Sequence, residues 1–93
     1  MWQVKNHNKV AKAMPDLPEL ARLAFDQLAR ELRAGGPRAQ GWPHYGKIKG
    51  HQDLHHCHLK RGRPTYVAVW RELKDEERTI EVIYVGTHEK APY

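Results

Sequence analysis

The sequence has a single cysteine and no long apolar run among its 93 residues. Because Cys57 has no second cysteine to pair with, an internal disulfide is excluded, and with it the class of small secreted domains that depend on disulfides. The first ten residues, MWQVKNHNKV, offer no apolar segment for a signal peptide, and no stretch approaches the roughly 20 apolar residues of a membrane span. We therefore expect a cytoplasmic protein without a membrane partner.

Acidic residues are scarce in the middle of the chain. Between Arg38 and Arg63, six lysines and arginines stand against one acidic residue, Asp53, so that this window carries a net charge of +5. Five of the seven histidines lie in the same window. Such concentrated positive charge favours a polyanionic partner, most simply a nucleic acid. A solvated basic face is the alternative that charge alone leaves open.

The N-terminal half predicts a strand followed by two helices. MWQVK alternates as a strand does, and NKVAKAM is a short helix that ends at Pro15. The segment DLPELARLAFDQLARELRAGGP predicts a long helix, with Asp16 and Glu19 in capping-box spacing and a stop at its GGP. Its apolar residues form one stripe that predicts a buried face: Leu17, Leu20, Ala21, Ala24, Phe25, Leu28 and Leu32.

The C-terminal half alternates with the period of a β-strand. DLHHCHLK, TYVAVWREL and TIEVIYVG are candidate strands, joined by turns at RGRP and KDEER. YVAVW is apolar on both faces, which favours a place in the middle of the sheet. The predicted fold is a single α+β domain over residues 1–93. It consists of an N-terminal strand, a helical hairpin and a three-stranded antiparallel meander, with the helices packed on one face.

The histidine-rich stretch DLHHCHLK can be interpreted as a strand with two different faces. Alternation places His55 and Cys57 towards the helices, and His56 and His58 outwards with Lys60 beside them. A zinc site is disfavoured, because neighbouring ligands on a strand point apart and the chain has no second pair of metal-ligand residues such as CxxC. We expect Cys57 to pack as a small apolar residue.

RNA cleavage is a chemistry that uses the outward residues. Attack by a ribose 2′-hydroxyl on the adjacent phosphate needs a base, an acid and positive charge, and histidine can take either proton role near neutral pH. His56 and His58, about 6.6 Å apart along a strand, can reach neighbouring parts of one phosphodiester. Lys60, Arg61 and Arg63 would stabilise its charge. This chemistry needs no cofactor and no metal.

The order of elements, together with the ending IEVIYVGTHEKAPY, resembles the RelE/ParE superfamily of bacterial toxins. The YafQ type is the most similar, because it has histidines where RelE has lysine and arginine and it ends in a similar GTH followed by an aromatic residue. The resemblance implies a RelE-like toxin of a type II toxin-antitoxin system. Such a toxin is an endoribonuclease that cuts mRNA, usually on the ribosome and without metal, to a 2′,3′-cyclic phosphate, and an acidic antitoxin silences it.

The resemblance also implies a site, position by position. His58 matches the histidine of the active strand, His56 the polar residue two positions before it, and His88 in VGTHE the residue after the last strand. Tyr93 matches an aromatic residue that stacks on a base, and His44 in GWPHYG matches a further histidine. The expected RNA-binding residues are these: Lys47, Lys49, Lys60, Arg61, Arg63 and Tyr93.

One departure and two alternatives accompany this resemblance. TYVAVW has no charged residue in mid-strand where relatives keep Arg or Asp, so Arg61, Arg63 or Thr65 would have to substitute. A ParE-like toxin would inhibit DNA gyrase by binding and would leave the histidines without a purpose. A non-enzymatic nucleic-acid-binding module explains the basic window but not His88 and Tyr93. The discriminating observation is whether the histidines and Tyr93 meet in one patch.

Overall fold

A computed structural model describes residues 1–51 and 53–93. The described elements, in chain order, are β1 (Gln3–Asn6), α1 (Asn8–Ala13), a 3₁₀ turn (Met14–Asp16), α2 (Glu19–Gly35), β2 (Gly46–Lys47), β3 (Leu54–Lys60), β4 (Tyr66–Glu72), β5 (Thr79–Thr87) and a second 3₁₀ turn (His88–Lys90). The predicted α+β fold, with its helices packed against the sheet, is confirmed. The short strand β2 was not predicted.

The five strands form one sheet in the order β1-β5-β4-β3-β2. β1 pairs with β5 in parallel, and the other neighbours pair antiparallel, which includes the expected meander of β3, β4 and β5. The central strand β4 is buried on both faces, because four consecutive residues, Val67 to Trp70, have no exposed surface. This confirms the interpretation of YVAVW as the middle of a sheet.

The long helix α2 covers one face of this sheet with Ala21, Phe25, Leu28 and Leu32, all of which are buried. Leu20 was predicted to join them, but it is 65% exposed. At 100° per residue, Leu20 lies about a third of a turn from the centre of the buried residues, outside the face that meets the sheet. Within the described residues, no helix is both long enough and apolar enough to cross a membrane.

The start of α2 also differs from the prediction. Asp16 belongs to the preceding 3₁₀ turn, and the N-cap of α2 is Pro18, which makes no side-chain capping hydrogen bond. The predicted capping box between Asp16 and Glu19 is therefore absent at this helix start. The 3₁₀ turn that follows α1 separates the two helices and delays the start of α2 until Glu19.

Candidate active site

The two faces of β3 are those that the alternation predicted. His55 and Cys57 are buried, at 4% and 0% exposure, whereas His56 and His58 are half-buried on the other face. The His55 ring stacks against Tyr45 and Trp70, and the Tyr45 hydroxyl is hydrogen-bonded to His55 Nδ1 at 2.8 Å. Burial lowers the pKa of His55. His55 is thus a neutral core residue that joins the loop before β2 to the sheet.

Cys57 lies in the apolar core and pairs with Ala68 of β4. Burial raises the pKa of its thiol to about 12. A thiol in this state stays protonated at neutral pH and has little character as a nucleophile or a metal ligand. In the described ranges, 1–51 and 53–93, no three side chains of the types His, Cys, Asp and Glu are arranged to hold a metal ion.

The predicted site histidines meet on the open face of the sheet. His58 stacks on His44, with ring centroids 4.1 Å apart, and lies edge-on to His88 at 5.6 Å. The ring of Tyr93 lies 4.7 Å from that of His56 and 5.9 Å from that of His88. We call His44, His56, His58, His88 and Tyr93 the histidine cluster. The sequence predicted all five members.

The cluster draws its members from three parts of the chain. β3 supplies His56 and His58, whose relative position is set by the strand. The loop before β2 brings His44, in the left-handed backbone region at φ 55°, and the loop is tied to β3 because the His58 amide donates to the Pro43 carbonyl at 2.9 Å. The His88 amide donates to the Thr65 carbonyl at 2.8 Å, which fixes the start of the C-terminal 3₁₀ turn.

The floor of the cluster is apolar. Val67 pairs with His58 and Val69 pairs with His56, and residues that are directly opposite in an antiparallel sheet share a face. Both valines are fully buried. These are the positions in TYVAVW where the resemblance would have led us to expect a charged residue. The two imidazoles therefore lie beside apolar side chains, which provide no charge with which they could pair.

This environment lowers the pKa of both strand histidines. For His58 the causes, in order, are burial, repulsion by His44, by His88 and by His56, and repulsion by Arg61. For His56 they are burial and then repulsion by His88 and His44. Both imidazoles are therefore neutral at neutral pH, which is the state in which a histidine accepts a proton. His56 Nδ1 is in addition buried without a hydrogen-bond partner among the described residues.

A cleft of about 780 Å³ opens beside the cluster. His58, His88 and Thr65 line it. Its charged residues are two cations, Arg63 from the β3–β4 turn and Lys90 from the C-terminal 3₁₀ turn, and one carboxylate, Glu89. Lys90 was not predicted as a site residue. The sequence offered little indication of this role. Lys90 lies at the cleft because residues 88–90 form a 3₁₀ turn, and this turn was not predicted.

The other predicted cations are more scattered. A register shift between His58 and Lys60 sets Lys60 opposite Tyr66, so the alternation that placed Lys60 beside the two histidines ends at this irregularity. Lys47 pairs with His55 and so shares the helix-facing side of the sheet. Lys49 lies in the turn between β2 and β3. The structure brings none of these three lysines into the histidine cluster.

Comparison with known proteins gives a likeness of fold. No protein-family model matches the chain, and no curated protein matches it. Several solved structures do match it, among them the following three. A free double mutant of the E. coli toxin RelE has a TM-score of 0.74 at 19% identity and covers 97% of this chain and 86% of that chain. The isolated E. coli RelE toxin has a TM-score of 0.72 at 21% identity, and the match covers 99% of this chain and 89% of that chain. An archaeal RelE–RelB complex from Pyrococcus horikoshii OT3 has a TM-score of 0.63 at 19% identity, and the match covers 97% of this chain and 98% of that chain.

These neighbours show which known fold the chain has. It is a small α+β protein whose helices pack on a five-stranded sheet. More particularly, it has the fold of the RelE toxins, and the predicted RelE-like fold is confirmed. At 19–21% identity the likeness extends to the fold and no further.

Proposed function

We propose that this protein is the toxin of a type II toxin-antitoxin system and that it cleaves mRNA, on the ribosome and in the cytoplasm. The observation that carries the proposal is the convergence of four histidines and Tyr93 in one patch beside a cleft with basic residues. The RelE fold supports it. The four histidines match the YafQ pattern, with imidazoles where RelE has other side chains.

The reaction that fits these residues is a transesterification within the RNA. The 2′-oxygen forms a bond to the adjacent phosphorus, the bond from phosphorus to the 5′-oxygen breaks, and a 2′,3′-cyclic phosphate and a free 5′-hydroxyl result. A neutral imidazole takes the proton of the 2′-hydroxyl, a role for which the lowered pKa of His56 and His58 suits them. In this proposal His88, which lies edge-on to His58, delivers a proton to the departing 5′-oxygen.

Positive charge beside the histidines replaces a metal in this proposal. Arg63 and Lys90 line the cleft next to His58, and the charge of Arg61 acts on His58. Fixed cations of this kind stabilise the charge that gathers on phosphate oxygens as the reaction proceeds. Tyr93, 44% exposed at the rim of the cluster, has a free face on which a base can stack.

An acidic antitoxin is the expected partner. One structural neighbour is a RelE–RelB complex, and another is described as a RelBE toxin-antitoxin complex. The net charge of +5 equals the charge of the window from Arg38 to Arg63, because the remaining charges cancel, so an acidic segment would complement this surface. A ParE-like toxin that inhibits gyrase without cleavage is the second candidate, since it has a related fold. It gives the histidine cluster no role.

The experiment that tests the proposal is single-turnover cleavage of mRNA on ribosomes, with a binding isotherm for each variant. His58→Ala and His88→Ala should each lower the cleavage rate by roughly two to four orders of magnitude with little change in binding. His51→Ala is the matched control, because His51 lies in the β2–β3 turn and is exposed. Its rate should equal that of the parent.

The products and the metal requirement provide a second test. Cleavage should leave a 2′,3′-cyclic phosphate, and it should persist in excess of a chelator that binds zinc tightly but leaves the Mg²⁺ on which ribosomes depend. Loss of activity with this chelator that added zinc restores would refute the metal-free mechanism. Full cleavage by both histidine variants would refute the nuclease site, and growth arrest without any RNA cleavage would favour the gyrase candidate.

A further inference from the structure

Two members of the histidine cluster lie just outside the strands: His44 in the loop before β2, and His88 at the first position after β5. A tyrosine hydroxyl makes a hydrogen bond next to each of them. We propose that Tyr45 and Tyr84 are positioning residues, which act through these two hydrogen bonds to hold His44 and His88 against His58. The inference rests on the proposed function and assigns roles to two residues outside the cluster.

Tyr45 acts on the loop that carries His44. Its hydroxyl is bonded to His55 Nδ1 on the helix-facing side of the sheet, and its ring stacks on His55 and Trp70. Tyr45 is thereby anchored on the helix-facing side of the sheet, and His44, the residue before it, stacks on His58 on the other side. The left-handed backbone of His44 persists only if the surroundings impose it.

Tyr84 acts on the segment that carries His88. Its hydroxyl donates to the carbonyl of Thr87 at 2.7 Å, the residue immediately before His88. The ring reaches this carbonyl by lying across Gly86. A Cβ at Gly86 would stand 2.7 Å from the Tyr84 hydroxyl oxygen, which is closer than real Cβ contacts come. The sequence YVGTH is therefore a unit in which Gly86 leaves the space that the hydrogen bond of Tyr84 requires.

Both hydrogen bonds matter for the same reason. His58 lies inside a strand that is paired with β4, whereas His44 and His88 lie outside the strands. Backbone hydrogen bonds, from the His58 amide to the Pro43 carbonyl and from the His88 amide to the Thr65 carbonyl, link their segments to the sheet, and the tyrosine hydroxyls add a second tie to each. A displacement of about 1 Å in a catalytic group can cost roughly a hundredfold in rate. Groups that touch no substrate can thus control the rate by fixing the groups that do.

The test replaces each tyrosine with phenylalanine, which keeps the ring and removes only the hydroxyl. Tyr45→Phe and Tyr84→Phe should each lower the maximal single-turnover rate by roughly 10- to 100-fold, with an unchanged dissociation constant for mRNA-loaded ribosomes. Tyr66→Phe is the matched control, because the Tyr66 hydroxyl makes no hydrogen bond within the described residues. It should behave as the parent does.

A second measurement does not depend on activity. NMR titration of the imidazoles should show the pKa of His58 rising towards its ordinary value in Tyr45→Phe and Tyr84→Phe, because His44 or His88 then repels its proton less. Displacement of either ring also exposes His58, which raises its pKa in the same direction, while repulsion by His56 and Arg61 is unchanged. Gly86→Ala should reproduce the effect of Tyr84→Phe, since the added Cβ displaces the hydroxyl.

The outcomes separate this inference from the proposed function. If His58→Ala abolishes cleavage while both phenylalanine variants match the parent in rate and in the pKa of His58, the positioning role is refuted and the nuclease stands. If His58→Ala cleaves normally, the nuclease proposal is refuted. The NMR titration then decides the positioning role alone, and an unchanged pKa of His58 in both variants refutes it.

Discussion

Acid should destabilise this protein through the three histidines of β3. Burial lowers the pKa of His55, His56 and His58, and unfolding restores values near 6.5. Above about pH 6.5 their full contribution to stability is present. As the pH falls through the lowered pKa values of the folded state, the unfolded chain binds more protons, so the free energy of unfolding decreases.

The size of this effect depends on how far each pKa is lowered. A histidine whose pKa is lowered by a full unit removes about 1.4 kcal/mol as the pH falls from about 6.5 to its lowered pKa, and a smaller shift removes less. Roughly 0.05–0.15 kcal/mol per residue is typical of the total stability of a domain, which is about 5–14 kcal/mol for this chain. A loss of this size is measurable by denaturation.

The assay is urea denaturation between pH 5 and pH 8. His55→Phe removes one titrating group and keeps an aromatic ring between Tyr45 and Trp70. Below pH 6.5 its free energy of unfolding should therefore fall less steeply with decreasing pH than that of the parent. The difference in slope should correspond to the uptake of at most one proton on unfolding. His51→Ala, at an exposed turn position, should keep the slope of the parent. A parent whose stability is the same at pH 5 and pH 7 would contradict the reasoning. So would a His55→Phe variant that keeps the full slope.

Two further predictions concern the basic residues and the strained loop. Arg61→Ala and Arg63→Ala should weaken binding to RNA and reduce its salt dependence by about one phosphate contact each, with a smaller effect on the maximal rate, as titrations at several salt concentrations will test. His44→Val should lower the free energy of unfolding by roughly 1–3 kcal/mol more than His44→Asn, because asparagine tolerates the left-handed backbone and a β-branched residue does not. Equal denaturation midpoints for the two variants would exclude strain at this position.

The two strand members of the histidine cluster were predictable because they follow from local rules. A strand alternates with a period of two, and the apolar character of Cys57 decided which face of DLHHCHLK meets the helices. His56 and His58 followed on the other face. The family resemblance supplied His44, His88 and Tyr93, which no local rule connects to β3. Their convergence is confirmed by the ring distances.

What the sequence did not predict depends on contacts between distant segments. The predicted alternation does not extend to Lys60, because a register shift interrupts it after His58. Leu20 stays exposed because only the narrower set of residues that meets the sheet is buried, and Leu20 lies about a third of a turn from its centre. The sequence does not distinguish Tyr45 and Tyr84 from other tyrosines, because their roles depend on the hydrogen-bond partners of their hydroxyls. Period and composition carry no information about such pairings.

Because β1 pairs with β5, the sheet cannot be completed until the last strand of the chain is in place. Gln3 pairs with Thr79, so β1 has no neighbour until nearly the whole chain is available, and contacts so distant in sequence form slowly. A shortened chain that ends before β5 would still contain His44, His56 and His58, yet it would expose the apolar edge of β4. Such an edge pairs readily with other chains. Premature truncation should therefore produce aggregates and not a weakened form of the protein.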